Sequence, residues 1–193
     1  MLENLKKYHI LLASKSPRRR ELLSELRIPF NAISIGGINE DYPASIPKDD
    51  VPQYLADRKA DAYLAFIKEN EMVITADTLV IKDDRVFGKP HSEEEAFEML
   101  MDLSDSVHKV ITGVCIVTNE RRISFTATTE VKFARISEED ARYYIENFRP
   151  FDKAGSYGIQ EWIGCIAVEW IKGSFYNVMG LPIHRLYQEL KIF

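Results

Sequence analysis

Cysteine and histidine are scarce in this chain, and their spacing indicates neither a zinc site nor a disulfide framework. The two cysteines, Cys115 and Cys165, are far apart, have no C-x-x-C spacing and lie within apolar runs. We predict that both are buried packing residues. The four histidines are scattered without metal-ligand spacing. His108 precedes a predicted strand, and we expect a structural histidine there, with a ligand contact as the alternative.

Long apolar runs and an excess of positive charge are also missing. No apolar run approaches the roughly 18 residues of a membrane-spanning helix. The run that follows Lys6 and Lys7 covers only residues 9–13, which is too short for a secretion signal. We therefore expect a cytoplasmic protein without membrane contact. The formal net charge of −5 disfavours a sequence-indifferent nucleic-acid binder, because such a binder neutralises many phosphates.

Several well-known catalytic and nucleotide-binding motifs are absent. The chain has no G-x-x-x-x-G-K-[ST], G-x-G-x-x-G, H-E-x-x-H or G-x-S-x-G segment, so neither a P-loop nor a Rossmann fingerprint applies. The composition, 46% hydrophobic and 28% charged residues, is that of a globular domain able to bury a sizeable core. Strand and helix patterns mix along the chain and predict an α/β fold with helices flanking one sheet. A hairpin over residues 107–118 and 123–133 predicts a mixed sheet.

Local patterns predict the remaining elements. Asp49 or Asp50 is predicted to cap a helix that continues to Asn70. Ser92 and Ser137 are predicted to cap two further helices, because each precedes an amphipathic segment. Residues 30–35 and 163–171 are predicted strands, and residues 182–190 a final helix.

The segment over residues 11–23 has the most informative pattern. A short apolar run ends at Ser14, and Arg18, Arg19 and Arg20 then open a stretch with leucines at helical spacing. This pattern predicts a strand, a tight loop and a helix N-terminus, where backbone N–H groups and the helix dipole favour an anion. Arginine adds bidentate donors for phosphate oxygens. The segment therefore predicts a phosphate-binding turn, with a solvated basic helix start as the alternative.

Isolated acids and bases in other polar segments extend this prediction. Residues 72–76 predict a buried central strand ending at Asp77, and ligands in open α/β sheets bind beyond strand ends. Glu40 and Lys89 lie in separate loops. Acids beside arginines and lysines suit a metal-bridged polyphosphate, because the acids bind Mg²⁺ and the bases neutralise the phosphates. Taken singly, each of these residues also fits a turn or a solvated surface position.

In chain order these segments resemble the Maf family of nucleotide pyrophosphatases. The matching pieces are spread over nearly the whole chain. In its first half they are residues 14–19, Glu40, and residues 59–60, 76–78 and 88–90. In its second half they are Ser104, His108, and residues 112–113, 152–160 and 177–182. Two positions depart from the family pattern. Asp105 follows Ser104 where glycine is usual. Glu161 follows Gln160 where glycine is common, which adds negative charge beside the residue that the resemblance assigns to base recognition.

The resemblance implies a fold, an activity and a cofactor. It implies one Maf-like domain over residues 1–193, similar to the ITPase fold, with two lobes and an active-site cleft between them. It implies hydrolysis of nucleoside triphosphates to the monophosphate and pyrophosphate, and the Gln160 segment resembles the dTTP/UTP branch, which also accepts modified pyrimidines such as 5-methyl-UTP. A divalent metal, Mg²⁺ or Mn²⁺, and a homodimer are further implications. The alternative is a non-catalytic regulator of cell division that binds a nucleotide or a partner.

The resemblance also implies roles for particular residues. Asp77 would accept the proton of the attacking water, and Glu40 and Asp77 would hold the metal. Substrate phosphates would be bound by Ser14, Arg18, Arg19, Lys59 and Lys89. Thr78 and Gln160, together with Arg18, resemble the positions that set base choice. An amide suits a pyrimidine edge because it both donates and accepts.

Overall fold

The computed structural model describes residues 2–193, and the chain divides into two compact units. Unit 1 comprises Met1–Asp77, Thr112–Ala127 and Gly180–Phe193. Unit 2 comprises Thr78–Ile111 and Thr128–Met179.

Helices and strands are interspersed along the chain, as expected for an α/β protein. In chain order they are β1 (His9–Ala13), α1 (Pro17–Ser24), β2 (Asn31–Ile33), α2 (Val51–Leu64), β3 (Glu71–Lys82), β4 (Arg85–Phe87), α3 (Glu93–Leu103), β5 (Val107–Val117), β6 (Arg122–Phe133), α4 (Glu138–Phe148), α5 (Trp162–Ala167), β7 (Val168–Lys172), α6 (Phe175–Met179) and α7 (Ile183–Ile192). Short 3-10 turns lie at Glu3–Leu5, Lys48–Asp50 and Ala154–Ser156. Within residues 2–193, no helix combines the length and the apolar character needed to cross a membrane.

The sheet is mixed, as predicted. Its strand order is β2-β1-β3-β5-β6-β7, with β4 paired to β3. β1 runs parallel to both β2 and β3, whereas β4 is antiparallel to β3 and β7 is antiparallel to β6. The predicted class, an α/β fold with helices flanking a mixed central sheet, is confirmed.

Each unit has its own apolar core. In unit 1, Val73 of β3 packs with Ala60 and Tyr63 of α2 and with Cys115 of β5, which confirms the predicted burial of Cys115. The first half of β3 carries a β-branched run that is buried without interruption, as expected for a central strand. In unit 2, residues from β5 and β6 pack with the apolar faces of α3 and α4.

Helix starts were predicted well because their signals are local. The Ser92 hydroxyl accepts a hydrogen bond from the Glu95 N–H at 3.1 Å, and Ser137 accepts one from the Asp140 N–H at the same distance. Both serines therefore act as N-caps. The cap predicted at Asp50 is wrong, because Asp50 precedes α2 without a side-chain capping bond; Pro52 occupies the first turn.

Other boundaries were predicted wrongly. α2 ends at Leu64, well before Asn70, and the strand predicted over residues 30–35 is shorter. Residues 163–171 were predicted as one strand, but the first part forms α5 and only residues from Val168 onward form β7. A short apolar run does not distinguish a strand from a buried helix segment. Cys165, predicted to be buried, lies on α5 and is exposed.

Candidate active site

Asp77 lies in the middle of a strand, not at its end. β3 continues without interruption through residues 78–82, and its last residues pair with β4, for example Val80 with Phe87. The predicted strand end at Asp77 is therefore wrong, because the β-branched residues that follow sustain the strand. The Asp77 side chain is only 13% exposed, so its charge requires a compensating partner.

That partner is Lys59 on α2. The Lys59 Nζ atom donates a hydrogen bond to Asp77 Oδ1 and lies 2.8 Å from Glu40 Oε1. The lysine side chain is 15% exposed, whereas that of Glu40 is 59% exposed. One ammonium group therefore joins a buried strand carboxylate to a carboxylate in an exposed loop.

Two further contacts position this group of residues, which we call the acid–lysine cluster (Glu40, Lys59 and Asp77). The buried Thr75 hydroxyl donates to the Ala56 carbonyl at 2.7 Å and so joins β3 to α2 one helical turn before Lys59. Arg58 donates from Nη1 to the Asp41 carbonyl at 2.6 Å, which ties the loop that carries Glu40 to the same helix.

Arg19 supports the backbone next to Asp77. Its Nε donates to the Gly180 carbonyl at 2.7 Å, and its Nη1 donates to the Ala76 carbonyl at 2.8 Å. Burial lowers the pKa of Arg19 from its ordinary value, and the Asp77 charge opposes this shift. The guanidinium stays protonated, because the ordinary arginine pKa lies far above neutrality. Arg19 therefore positions the Asp77 strand, and its predicted phosphate contact stays a prediction.

The segment before α1 forms the predicted tight turn. The Ser14 hydroxyl accepts a hydrogen bond from the Ser16 N–H at 3.1 Å, and the Ser16 hydroxyl caps α1 by accepting one from the Arg19 N–H. Arg18 is half-buried in the first helical turn. Arg20 is exposed and donates to the Lys15 carbonyl at 2.9 Å. The strand, turn and helix predicted from the sequence are confirmed.

Thr78, Lys89 and Gln160 belong to unit 2. Lys89 and Gln160 are exposed and Thr78 is half-buried. The loops that carry Lys89 and Gln160 are linked by a hydrogen bond of 3.0 Å from the Gly155 N–H to the Gly88 carbonyl. The structure thus brings together Glu40, Lys59, Asp77 and Arg19 in unit 1, and joins the Lys89 and Gln160 loops in unit 2.

No group of three or more histidine, cysteine or acidic side chains within residues 2–193 is arranged to hold a metal ion. Glu40 and Asp77 nevertheless both reach the Lys59 ammonium, so the two carboxylates lie close together. Two carboxylates fit a magnesium site of the kind that takes its other ligands from water and substrate phosphates.

His108 is structural, as expected. It is 1% exposed, its Nε2 lies 2.8 Å from the Tyr157 hydroxyl, and its ring packs edge-on against Phe133. Burial, reinforced by the Lys82 charge, lowers the pKa of His108 to about 3. The folded protein therefore holds this imidazole neutral in an apolar environment.

We predict an acid-dependent loss of stability from His108. The unfolded chain binds a proton near pH 6.5, whereas the folded chain does so only near pH 3, so stability falls as pH decreases between these values. The slope contributed is about 1.4 kcal/mol per pH unit. Urea denaturation from pH 7 to pH 4 measures it, and His108→Gln should show a shallower fall. Equal slopes for both proteins would contradict the prediction.

The two departures from the family pattern have local explanations. Asp105 adopts φ = 51°, a left-handed conformation that suits glycine and that aspartate also tolerates. Its carboxylate is bound by Lys132 Nζ at 2.8 Å. Glu161 lies 3.1 Å from Lys153 Nζ and accepts a hydrogen bond from the Tyr144 hydroxyl, so its negative charge has partners within unit 2.

Sequence reasoning missed Tyr144 and gave Lys153 no individual role. Lys153 is only 7% exposed, and a lysine is rarely so buried unless it is paired with an acid. The only signal for Lys153 was its position in the glycine-bearing segment. Tyr144 gave no signal, because it falls on the apolar stripe of α4 like an ordinary core residue.

Fold and site together define an α/β protein in which a strand carboxylate, a lysine and an arginine-opened helix lie in one unit, a combination suited to a phosphate-bearing ligand. The family model described as Maf-like protein matches residues 9–193, so the chain belongs to the Maf-like protein family. The family resemblance predicted from the motifs is confirmed.

Individual relatives cover the whole chain. A protein of Parabacteroides distasonis named dTTP/UTP pyrophosphatase is 56% identical over 193 residues and covers 100% of both chains. A protein of the same name from Flavobacterium johnsoniae is 44% identical over 188 residues, 97% of this chain and 96% of that one. Among solved structures, a HAM1 protein from Coxiella burnetii aligns with a TM-score of 0.52 at 15% identity, covering 96% of this chain and 100% of that one. At that identity the likeness concerns the fold alone.

Proposed function

We propose that this protein hydrolyses nucleoside triphosphates, with dTTP and UTP as preferred substrates, to the nucleoside monophosphate and pyrophosphate. The observation that carries the proposal is the acid–lysine cluster, in which a shielded strand carboxylate, Asp77, is held by Lys59. Relatives over the full length that bear the name dTTP/UTP pyrophosphatase support the choice of substrate. Modified pyrimidine nucleotides such as 5-methyl-UTP belong to the same proposal, because a group added at C5 leaves the hydrogen-bonding edge of the base unchanged.

In the proposed mechanism, Asp77 accepts a proton from the water that attacks the α-phosphorus. Breaking the α–β phosphoanhydride bond then releases pyrophosphate, and the monophosphate retains the new oxygen. Lys59, Arg18 and Lys89 balance the charge of the triphosphate and stabilise the leaving group. Arg19 contributes by holding the Ala76 carbonyl and thereby the position of Asp77.

We propose that Glu40 and Asp77 bind Mg²⁺ or Mn²⁺ beside Lys59, because one ammonium group reaches both carboxylates and they therefore lie close together. A divalent cation bound there would supply charge neutralisation for the phosphates and would polarise the water. Ser14 completes the phosphate-binding turn. The homodimer implied by the family resemblance stays a prediction.

A panel of ribo- and deoxynucleoside triphosphates, incubated with the protein and Mg²⁺ and separated by chromatography, tests the proposal. Monophosphate plus pyrophosphate, formed fastest from dTTP and UTP, is the expected result. Diphosphate plus phosphate would indicate a γ-phosphatase instead. Absence of turnover would favour the alternative, a regulator that binds a nucleotide or a cell-division partner without hydrolysing it.

We propose that Gln160 reads the base, together with Thr78 and Arg18, since its amide both donates and accepts hydrogen bonds. Gln160→Ala should therefore change the order of preference among UTP, dTTP and CTP more than it changes the maximal rate. Comparing kcat/KM for the three nucleotides measures this. Gln188→Ala, which alters an exposed glutamine of α7, is the matched control. An unchanged order would remove Gln160 from base recognition.

A further inference from the structure

Gln160 occupies a tight turn whose two ends are both held. The Glu161 N–H donates to the Gly158 carbonyl at 2.9 Å, so residues 158–161 form a β-turn with Ile159 and Gln160 at its centre. Ile159 is buried in the core of unit 2, whereas Gln160 is exposed. The turn therefore buries Ile159 in the core and leaves Gln160 exposed to solvent.

One hydroxyl group joins the two ends of this turn. The Tyr144 hydroxyl, from α4, accepts a hydrogen bond from the Gly158 N–H at 3.0 Å and donates one to Glu161 Oε2. Tyr144 is fully buried, so its bond to Gly158 is shielded from water. Burial, with a smaller contribution from Glu161, raises the pKa of Tyr144, and the hydroxyl keeps the proton that it donates.

The buried Lys153 forms an ion pair with Glu161, the last residue of the turn. Lys153 Nζ lies 3.1 Å from Glu161 Oε1 and 2.7 Å from Asp152 Oδ1. A Cβ atom on Gly158 would lie 2.8 Å from Glu161 Cδ and 3.0 Å from Lys153 Cε, so the ion pair packs directly on the turn. Glu161, at a position where the family commonly has glycine, is thus bonded through both carboxylate oxygens.

This arrangement has a physical consequence for the choice between pyrimidine bases. Uracil and cytosine present opposite donor and acceptor groups at position 4 and at N3. A mobile turn lets the glutamine amide approach either edge from many positions, whereas a fixed turn limits the positions from which the amide reaches the base. Fixing the backbone on both sides of Gln160 therefore sharpens the discrimination that its amide makes between the two pyrimidines.

We propose that Tyr144 and Glu161 are positioning residues that act through Gln160 to favour UTP over CTP. The inference rests on the proposed function, because it assumes that Gln160 reads the base. It assigns a role to the charge of Glu161, which holds the turn in place.

A double-mutant cycle on the full chain tests the inference. We measure kcat/KM for UTP and for CTP in the wild type, Tyr144→Phe, Gln160→Ala and the double variant. Tyr144→Phe should reduce the UTP/CTP preference about tenfold, a size typical of coupling within one hydrogen-bond network. In the Gln160→Ala background the same substitution should cause no further change. Additive effects, or equal losses for both nucleotides, would overturn the inference.

Two substitutions of Glu161 provide a second test, with a smaller and a larger expected effect. Glu161→Gln keeps an acceptor for the Tyr144 hydroxyl but loses the charge opposite Lys153, so it should retain more of the UTP preference than Glu161→Ala. Tyr143→Phe is the matched control, because Tyr143 is the half-exposed neighbour on the same helix, with its ring against Trp162. A loss of preference in Tyr143→Phe equal to that in Tyr144→Phe would contradict a specific role for Tyr144.

Amide hydrogen exchange separates this inference from the proposed function, since it needs no turnover. The Gly158 N–H should exchange about tenfold faster in Tyr144→Phe than in the wild type, because its acceptor is lost. Unchanged exchange would overturn the inference even in an active enzyme. A wild-type protein that hydrolyses no nucleotide would instead overturn the proposed function, and the specificity role would fall with it.

Discussion

Replacing Asp77 with asparagine should lower kcat for UTP by about a hundredfold or more, the usual scale for loss of a general base. Asparagine has nearly the same shape, and its amide oxygen still accepts a hydrogen bond from Lys59. The substitution therefore removes proton-accepting ability and charge while keeping the side-chain volume on β3. Steady-state rates over a range of UTP concentrations separate the expected fall in kcat from any change in KM.

The matched control for this variant is Asp61→Asn. Asp61 lies on α2, is exposed and pairs with Arg122, so it is also an acid bonded to a base in unit 1. Its replacement should leave kcat unchanged, because an exposed ion pair contributes little to the stability of the fold and this one lies outside the acid–lysine cluster. Thermal unfolding of both variants shows whether a loss of activity reflects misfolding. Turnover of Asp77→Asn close to that of the wild type would exclude Asp77 as the proton acceptor.

The elements predicted correctly from sequence are those whose signals are local. Ser92 and Ser137 bond to N–H groups three residues away, and such caps are visible in the sequence itself. The run at residues 163–171 was ambiguous, because its apolar residues suit a helix and a strand equally. The structure divides it into α5 and β7. The position of Asp77 within β3 depended on residues that follow it, which continue the strand.

Sequence patterns named candidate site residues but could not indicate their arrangement. Lys59 and Asp77 are 18 residues apart, and their pairing follows from the packing of α2 on β3. Arg19 suggested a phosphate ligand because it opens a helix. Its donors reach carbonyl groups 57 and 161 residues away in the chain, which no local pattern indicates. Tertiary packing therefore determined the role of Arg19 in the site.

Glu161 is a second residue whose role could not be predicted from the sequence. From the sequence alone, Glu161 is only an extra negative charge beside the residue expected to read the base. In the structure the carboxylate is bonded to Lys153 and to the Tyr144 hydroxyl. We therefore expect Glu161 to act on Gln160 through the backbone of the turn, an expectation that requires its partners to be known.

Replacing Lys59 with methionine should lower kcat/KM for UTP by about a hundredfold or more, because a shielded cation is lost where phosphate charge develops. Methionine keeps the length and the apolar stem of the side chain. Asp77 and Glu40 would then face each other without the ammonium that now joins them, and substrate phosphates would add further negative charge. Steady-state kinetics at saturating Mg²⁺ measures the loss.

Lys59→Arg tests whether charge alone is sufficient. The planar guanidinium is larger than an ammonium group and has fixed donor directions, so we expect it to restore only part of the activity. Lys6→Met is the control, because Lys6 forms an exposed ion pair with Glu3 at 2.6 Å and should be dispensable. A kcat/KM for Lys59→Met within about threefold of the wild type would show that Lys59 only neutralises Asp77, since a group that stabilises transition-state charge cannot be removed at so small a cost.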